Sequence, residues 1–178
     1  MLLLAAGLLL APTRGLADVD PGLVIELDLA GYSVTFRDLR DGEVGPVIPV
    51  ALGSPANPTP PGRHRVGWVI LSPAWTPGGG ASAAGARSER ASLATPMGVA
   101  KIPFAGDGSI ALHGGGDARL LGQPISGGCV RAGDGDLLRA IAWLDLRGAL
   151  GPAPPADTAD TSGEVHRPFV RTTYVVVD

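Results

Sequence analysis

The chain of 178 residues is 45% hydrophobic and 17% charged, the composition of a single globular domain that can bury a core without metal or disulfide staples. Its net charge of -3 offers no basic field to a phosphate backbone, and 4% aromatic residues leave few platforms for stacking bases, so nucleic acid is set aside as a partner. With 27 Gly and 17 Pro the chain turns often, which favours strands over a helical bundle.

Leu2 to Ala11 is an apolar run of ten residues, followed by Pro12, Thr13, Arg14 and the small-residue stretch Gly15-Leu16-Ala17. This is the pattern of a signal peptide over residues 1–17, although the region before the apolar run is little more than Met1. Such a run is half the length of about twenty residues that a hydrocarbon core demands, and no later stretch is longer. The expectation is an exported protein of the periplasm or cell-wall space, with no stable membrane span after processing.

Leu23 to Leu29 and Tyr32 to Leu39 alternate apolar and polar side chains around Ala30-Gly31, predicting a hairpin. Val44 to Leu52 is a third strand candidate, and the prolines of Gly53 to Gly62 make that segment a loop. His64 to Leu71 resumes strand-like content. Residues 73–94, rich in Gly, Ala and Ser, lack periodicity and read as a long loop. Gly98 to Ile102 and Ser109 to His113 are short strand candidates, the second running into Gly114-Gly115-Gly116.

One helix is expected from Asp134. Leu137, Leu138, Ile141, Leu144 and Leu146 supply its apolar face, Asp134 and Asp136 sit at the positive end of its dipole, and Gly148 stops it. Residues 151–166 read as a second long loop before a last strand, Phe169 to Val177. There is no internal repeat, and residues 18–178 form one mainly β domain.

A single cysteine cannot form an internal bridge, so a lone thiol in an exported chain calls for a reason. Cys129 lies in Ser126-Gly127-Gly128-Cys129-Val130-Arg131, where two glycines permit a tight turn and leave main-chain N–H groups to face a developing oxyanion. Arg131 adds a charge that would favour thiolate and grip a substrate carboxylate. The plain alternative is a small buried cysteine at a turn, with Arg131 in a surface ion pair.

A thiol nucleophile wants a base. His113 ends a predicted strand at a loop, 129 − 113 = 16 positions before Cys129, whereas His64 and His166 read as surface residues. Zinc is the rival account of a His and Cys pair, with Asp117 as a third ligand, but the spacing of zinc motifs is missing and no metal is expected. Asp134 and Asp136 are better explained by the helix start than by glycoside chemistry.

His113-Gly114 followed by Ser126-Gly127-Gly128-Cys129-Val130-Arg131 resembles the signature of the L,D-transpeptidase catalytic domain. Val50 to Gly53 with Pro58-Thr59-Pro60-Pro61-Gly62, Thr95-Pro96-Met97-Gly98, and Gly108 to His113 are similar to further stretches of that family, so the likeness covers about Leu23 to Leu146. It implies a mainly β fold, a β-sandwich of mixed sheets with one helix next to the active site, and a role in wall synthesis and cell shape.

The resemblance also implies a mechanism. Cys129 would attack the L,D bond of a peptidoglycan tetrapeptide stem and form a thioester, and an amine of another stem, or of a wall-anchored protein, would resolve it. His113 would act as base, the Gly114 carbonyl would orient its imidazole, and main-chain N–H groups around Gly128 and Cys129 would hold the oxyanion. Ser126, Gly127 and Arg131 would line the substrate site, with no cofactor. Many members carry His after the motif serine where this chain has Gly127, which bears on acceptor choice. Two other readings fit the same fold: an L,D-carboxypeptidase or endopeptidase with water as acceptor, and a non-catalytic wall-binding module.

Overall fold

The computed structural model describes residues 21–74, 96–153 and 163–178. The expected signal peptide, most of the 73–94 loop and the centre of the 151–166 loop lie outside them.

Alternation of buried and half-buried side chains builds the predicted hairpin, with β1 (Leu23–Asp28) and β2 (Ser33–Asp38) paired antiparallel. β3 (Val44–Gly53) follows, β4 (Gly62–Arg65) and β5 (Trp68–Leu71) come after the proline-rich loop, and β6 (Ala100–Ala105) and β7 (Ile110–His113) form a second hairpin. β8 (Pro124–Ser126) and β9 (Val130–Ala132) flank the cysteine turn, α1 spans Asp134–Leu146, and β10 (Val165–Pro168) and β11 (Thr173–Val177) close the chain.

The strands make one curled mixed sheet in the order β10-β5-β6-β7-β9-β3-β2-β1-β11-β4, with β8 also on β3. The ten-residue β3 is the pivot: its first part pairs with β2 and its last part with β9 and β8. Both halves of the sheet feed a common core that includes Ile25, Phe36, Ile48, Val50, Ile102 and Leu112. Each such side chain contributes about 1.5–3 kcal/mol by leaving water. His64 on β4 and Phe104 on β6 meet with ring centroids 5.5 Å apart, so the two halves also touch near their ends.

The architecture is mainly β with one α-helix among the described residues, and no described helix is long and apolar enough to cross a membrane. Several sequence expectations need correction. His64 to Leu71 is two strands: after Arg65 the chain leaves the β11 edge, Val66 buries itself, and beyond Gly67 it joins β6 and β10. Phe169 to Val177 is not one strand either, because residues 169–172 turn Arg171 inward and pairing resumes at Thr173. The 151–166 loop ends earlier than expected, since Val165 and His166 already pair with Leu71 and Ile70. On α1 the inward face is Leu137, Ala140, Ile141 and Leu144, whereas Leu138 and Leu146 point to solvent.

Candidate active site

Three adjacent strands set the site. Lys101 on β6 lies directly opposite His113 on β7, and His113 is in register with Arg131 on β9. Partners in register project from the same side of a sheet, so these three side chains form one row. The next row on the other side, Ile102, Leu112 and Val130, faces the core at 0%, 2% and 1% exposure. Cys129 immediately precedes β9, and its thiol meets the carbonyl of Ser109, the residue before β7. The turn that brings β9 back beside β7 thus sets Cys129 in one cavity with Lys101, the cross-strand partner of His113.

Ser126 pins that turn. Its hydroxyl donates to the Cys129 carbonyl at 2.5 Å and accepts from the Gly128 N–H at 3.1 Å. Gly128 has φ 114°, and a Cβ there would come within 2.9 Å of Ile110, so both conformation and space require glycine. Ser126 is buried and outside the cavity lining, and its hydroxyl is spent on the loop, so it holds the turn where it was expected to line the substrate site. The Gly128 N–H is likewise engaged. Gly127 is exposed with open space around it.

His113 is buried, and its Nδ1 lies 2.7 Å from the Gly114 carbonyl. A carbonyl only accepts, so Nδ1 carries the proton and Nε2 keeps the lone pair. Burial, reinforced by the charges of Arg131 and Lys101 and opposed by the Gly114 bond and Asp134, holds the imidazole down to about 4. It is therefore neutral at neutral pH and able to take a proton. The Cys129 thiol donates to the Ser109 carbonyl, 3.6 Å away, and makes no hydrogen bond to His113 in this arrangement.

Asp134, expected as a helix-start charge, does more. Its Oδ1 accepts from the N–H groups of Val99 at 3.1 Å and Gly115 at 2.8 Å. A Cβ on Gly114 would lie 2.1 Å from that oxygen, so the close approach depends on glycine. The helix start thereby fastens the Pro96 to Val99 turn and the end of β7, including the carbonyl that holds His113.

A cavity of about 220 Å³ opens at Cys129, walled by Met97, Lys101, Ser109 and Ala111 among others. Two larger grooves, of about 370 and 390 Å³, lie elsewhere along the sheet and hold neither Cys129 nor His113. Of the residues singled out from sequence, Cys129 alone lines the cavity. Lys101 was missed, although a signal existed: it is the one lysine among the chain's 14 Lys and Arg residues. Arg131 has a buried Nε without a hydrogen-bond partner and no ion pair among the described residues. Asp117 is held by Arg119 at 2.6 Å, and the described residues contain no group of three His, Cys, Asp or Glu placed to hold a metal ion. His64 and His166 are half-buried, the latter bonded to Glu164 at 3.1 Å.

The family model of the L,D-transpeptidase catalytic domain (YkuD) matches residues 23–174. The chain belongs to this family. Among solved structures it is similar to an L,D-transpeptidase from Mycobacterium smegmatis, with TM-score 0.51 and 16% identity over 88% of this chain and 58% of that one. An L,D-transpeptidase from Mycobacterium tuberculosis H37Rv gives TM-score 0.52 and 18% identity over 88% and 57%. L,D-transpeptidase 3 from Mycobacterium tuberculosis, in complex with a faropenem-derived adduct, gives 0.53 and 16% over 88% and 60%. At these identities the likeness concerns the fold, and the chain spans about three fifths of the length of those L,D-transpeptidases. The curated proteins contain no match by sequence.

Proposed function

We propose that the protein is an exported cysteine L,D-transpeptidase acting on peptidoglycan stems in the periplasm or cell-wall space. The observation that carries this reading is a neutral His113, its Nδ1 proton committed to Gly114, one strand from a cysteine that opens into a cavity. The thiol swings from the Ser109 carbonyl and passes its proton to His113 Nε2. The thiolate attacks the carbonyl of the third stem residue and forms the C–S bond. The C–N bond to the terminal D-alanine breaks, and its amine takes the proton from His113. The Cys129 N–H is the proposed oxyanion donor, since that of Gly128 is engaged by Ser126. An amine of another stem or of a wall protein then resolves the thioester.

Arg131 supplies positive charge beside the base and thiol. In the test, protein from Asp18 onward is mixed with a carbapenem and weighed. The wild type is expected to gain one drug mass and Cys129→Ala none. An unmodified, well-folded wild type would sink the enzyme reading, and an adduct on Cys129→Ala would show a different nucleophile. Mass analysis of products from a disaccharide tetrapeptide then separates cross-linking from hydrolysis.

A further inference from the structure

The chain uses arginine everywhere for basic charge except at position 101, where its one lysine stands in the row of His113 and walls the cavity of Cys129. Lys101 Nζ donates to Glu164 Oε1 at 3.3 Å, a long bond to an oxygen that also accepts the shorter 2.8 Å bond from the Ala74 N–H. Glu164 Oε2 faces His166 Nε2 at 3.1 Å. The carboxylate is thus held by Ala74 and His166 and orients the ammonium. An ammonium has three donors, so two remain after Glu164 is served. A compact point charge with rotatable donors suits a small cavity better than the broad planar guanidinium.

The donor stem described above ends in a carboxylate about one residue length, ~3.5 Å, beyond the carbonyl that Cys129 attacks. A cation that holds this carboxylate must share the cavity into which the thiol opens. Lys101 does, and Arg131 is not part of that lining. We propose that Lys101 binds the terminal carboxylate of the leaving amino acid and so selects donor stems that end one residue past the scissile bond with a free acid. This rests on the transpeptidase reading. It also confines Lys101 to the acylation half of the reaction, because the carboxylate departs with the leaving group.

The test follows thioester formation by mass with an N-acetylated tetrapeptide stem ending in D-alanine and with its C-terminal carboxamide. Wild type is expected to favour the free acid in kcat/KM by a factor on the order of 10 to 100, the range of a hydrogen bond between charged groups. Lys101→Met is expected to lose that preference by slowing more on the free acid than on the carboxamide, while iodoacetamide, a neutral reagent, reports any common effect on Cys129 that passes through the charge beside His113. A preference that survives in Lys101→Met overturns the proposal. So does an equal loss on both peptides, which would make Lys101 a structural residue. No thioester from wild type with either peptide, while iodoacetamide still labels Cys129, would overturn the transpeptidase reading and this assignment with it.

Discussion

Among the described residues, three guanidiniums meet three carboxylates around Asp38, whereas around His113 two cations share a row in which Lys101 pairs with Glu164 and Arg131 has no ion pair. Asp38 is fully buried, takes a two-pronged grip from Arg171 at 2.8 and 2.9 Å, and also accepts from Arg40 and from Arg147 at 2.8 Å. Arg147 reaches on to Glu43 and Asp41, and Trp143 donates to Glu43. This cluster ties the end of β2 to the foot of α1 and to the segment before β11. The guanidinium of Arg171 above all, with those of Arg40 and Arg147, holds the Asp38 carboxyl far below the usual range against the opposing effect of burial. At the other cluster Arg131 stays without an ion pair among the described residues. Matched buried charges hold distant segments together, and a buried Nε–H without a partner, on the half-buried Arg131, is a cost that makes sense where charge develops during a reaction.

The largest effect should come from the matched cluster. Asp38→Asn removes the buried carboxylate charge that Arg171, Arg40 and Arg147 grip and is expected to cost about 3–5 kcal/mol in urea unfolding. A loss below about 1 kcal/mol would break the comparison.

Arg131→Met should behave oppositely, with stability within about 1 kcal/mol of wild type or slightly higher, because an uncompensated buried donor is removed. Its signature is the His113 titration, followed by NMR, which should move up from about 4 as a neighbouring charge disappears. The sign for stability follows. The folded imidazole binds its proton less readily than the unfolded one, so as pH falls from 6.5 to 4 the unfolded state protonates first. Wild type then loses about 3 kcal/mol, and Arg131→Met loses less. An unchanged His113 titration would remove Arg131 from the site's electrostatics.

The smallest effect is expected at Gly127→His. No atom lies within 4 Å of a Cβ there and the backbone is not left-handed, so unfolding should shift by under about 0.5 kcal/mol. Any change should appear in the ratio of cross-linked to hydrolysed product. A stability loss above about 2 kcal/mol would show that this space is already claimed.

Legibility in the sequence followed the length and regularity of each signal. The β1–β2 hairpin and α1 carry periods of two and about 3.6 over several turns of chain, and both were readable. β8 and β9 have three residues each, too few for any period, yet β9 delivers Cys129 and Arg131 to the site. The split between β4 and β5 was hidden because Val66 is as apolar as β5, which it precedes by two residues. Asp134 showed its charge but not its two distant amide partners, 35 and 19 residues away.

Composition, the lone cysteine and the His113-Gly114 and Ser126 to Arg131 motifs determined the mainly β class and the family resemblance, because they depend on residue type and short spacing alone. Tertiary structure decided the rest. Register placed Lys101, His113 and Arg131 in one row, burial kept the imidazole neutral, and the Ser126 bonds redirected a serine from substrate to loop. Each depends on which strand lies beside which, and strand order joins residues whose separation along the chain says nothing about their distance in space.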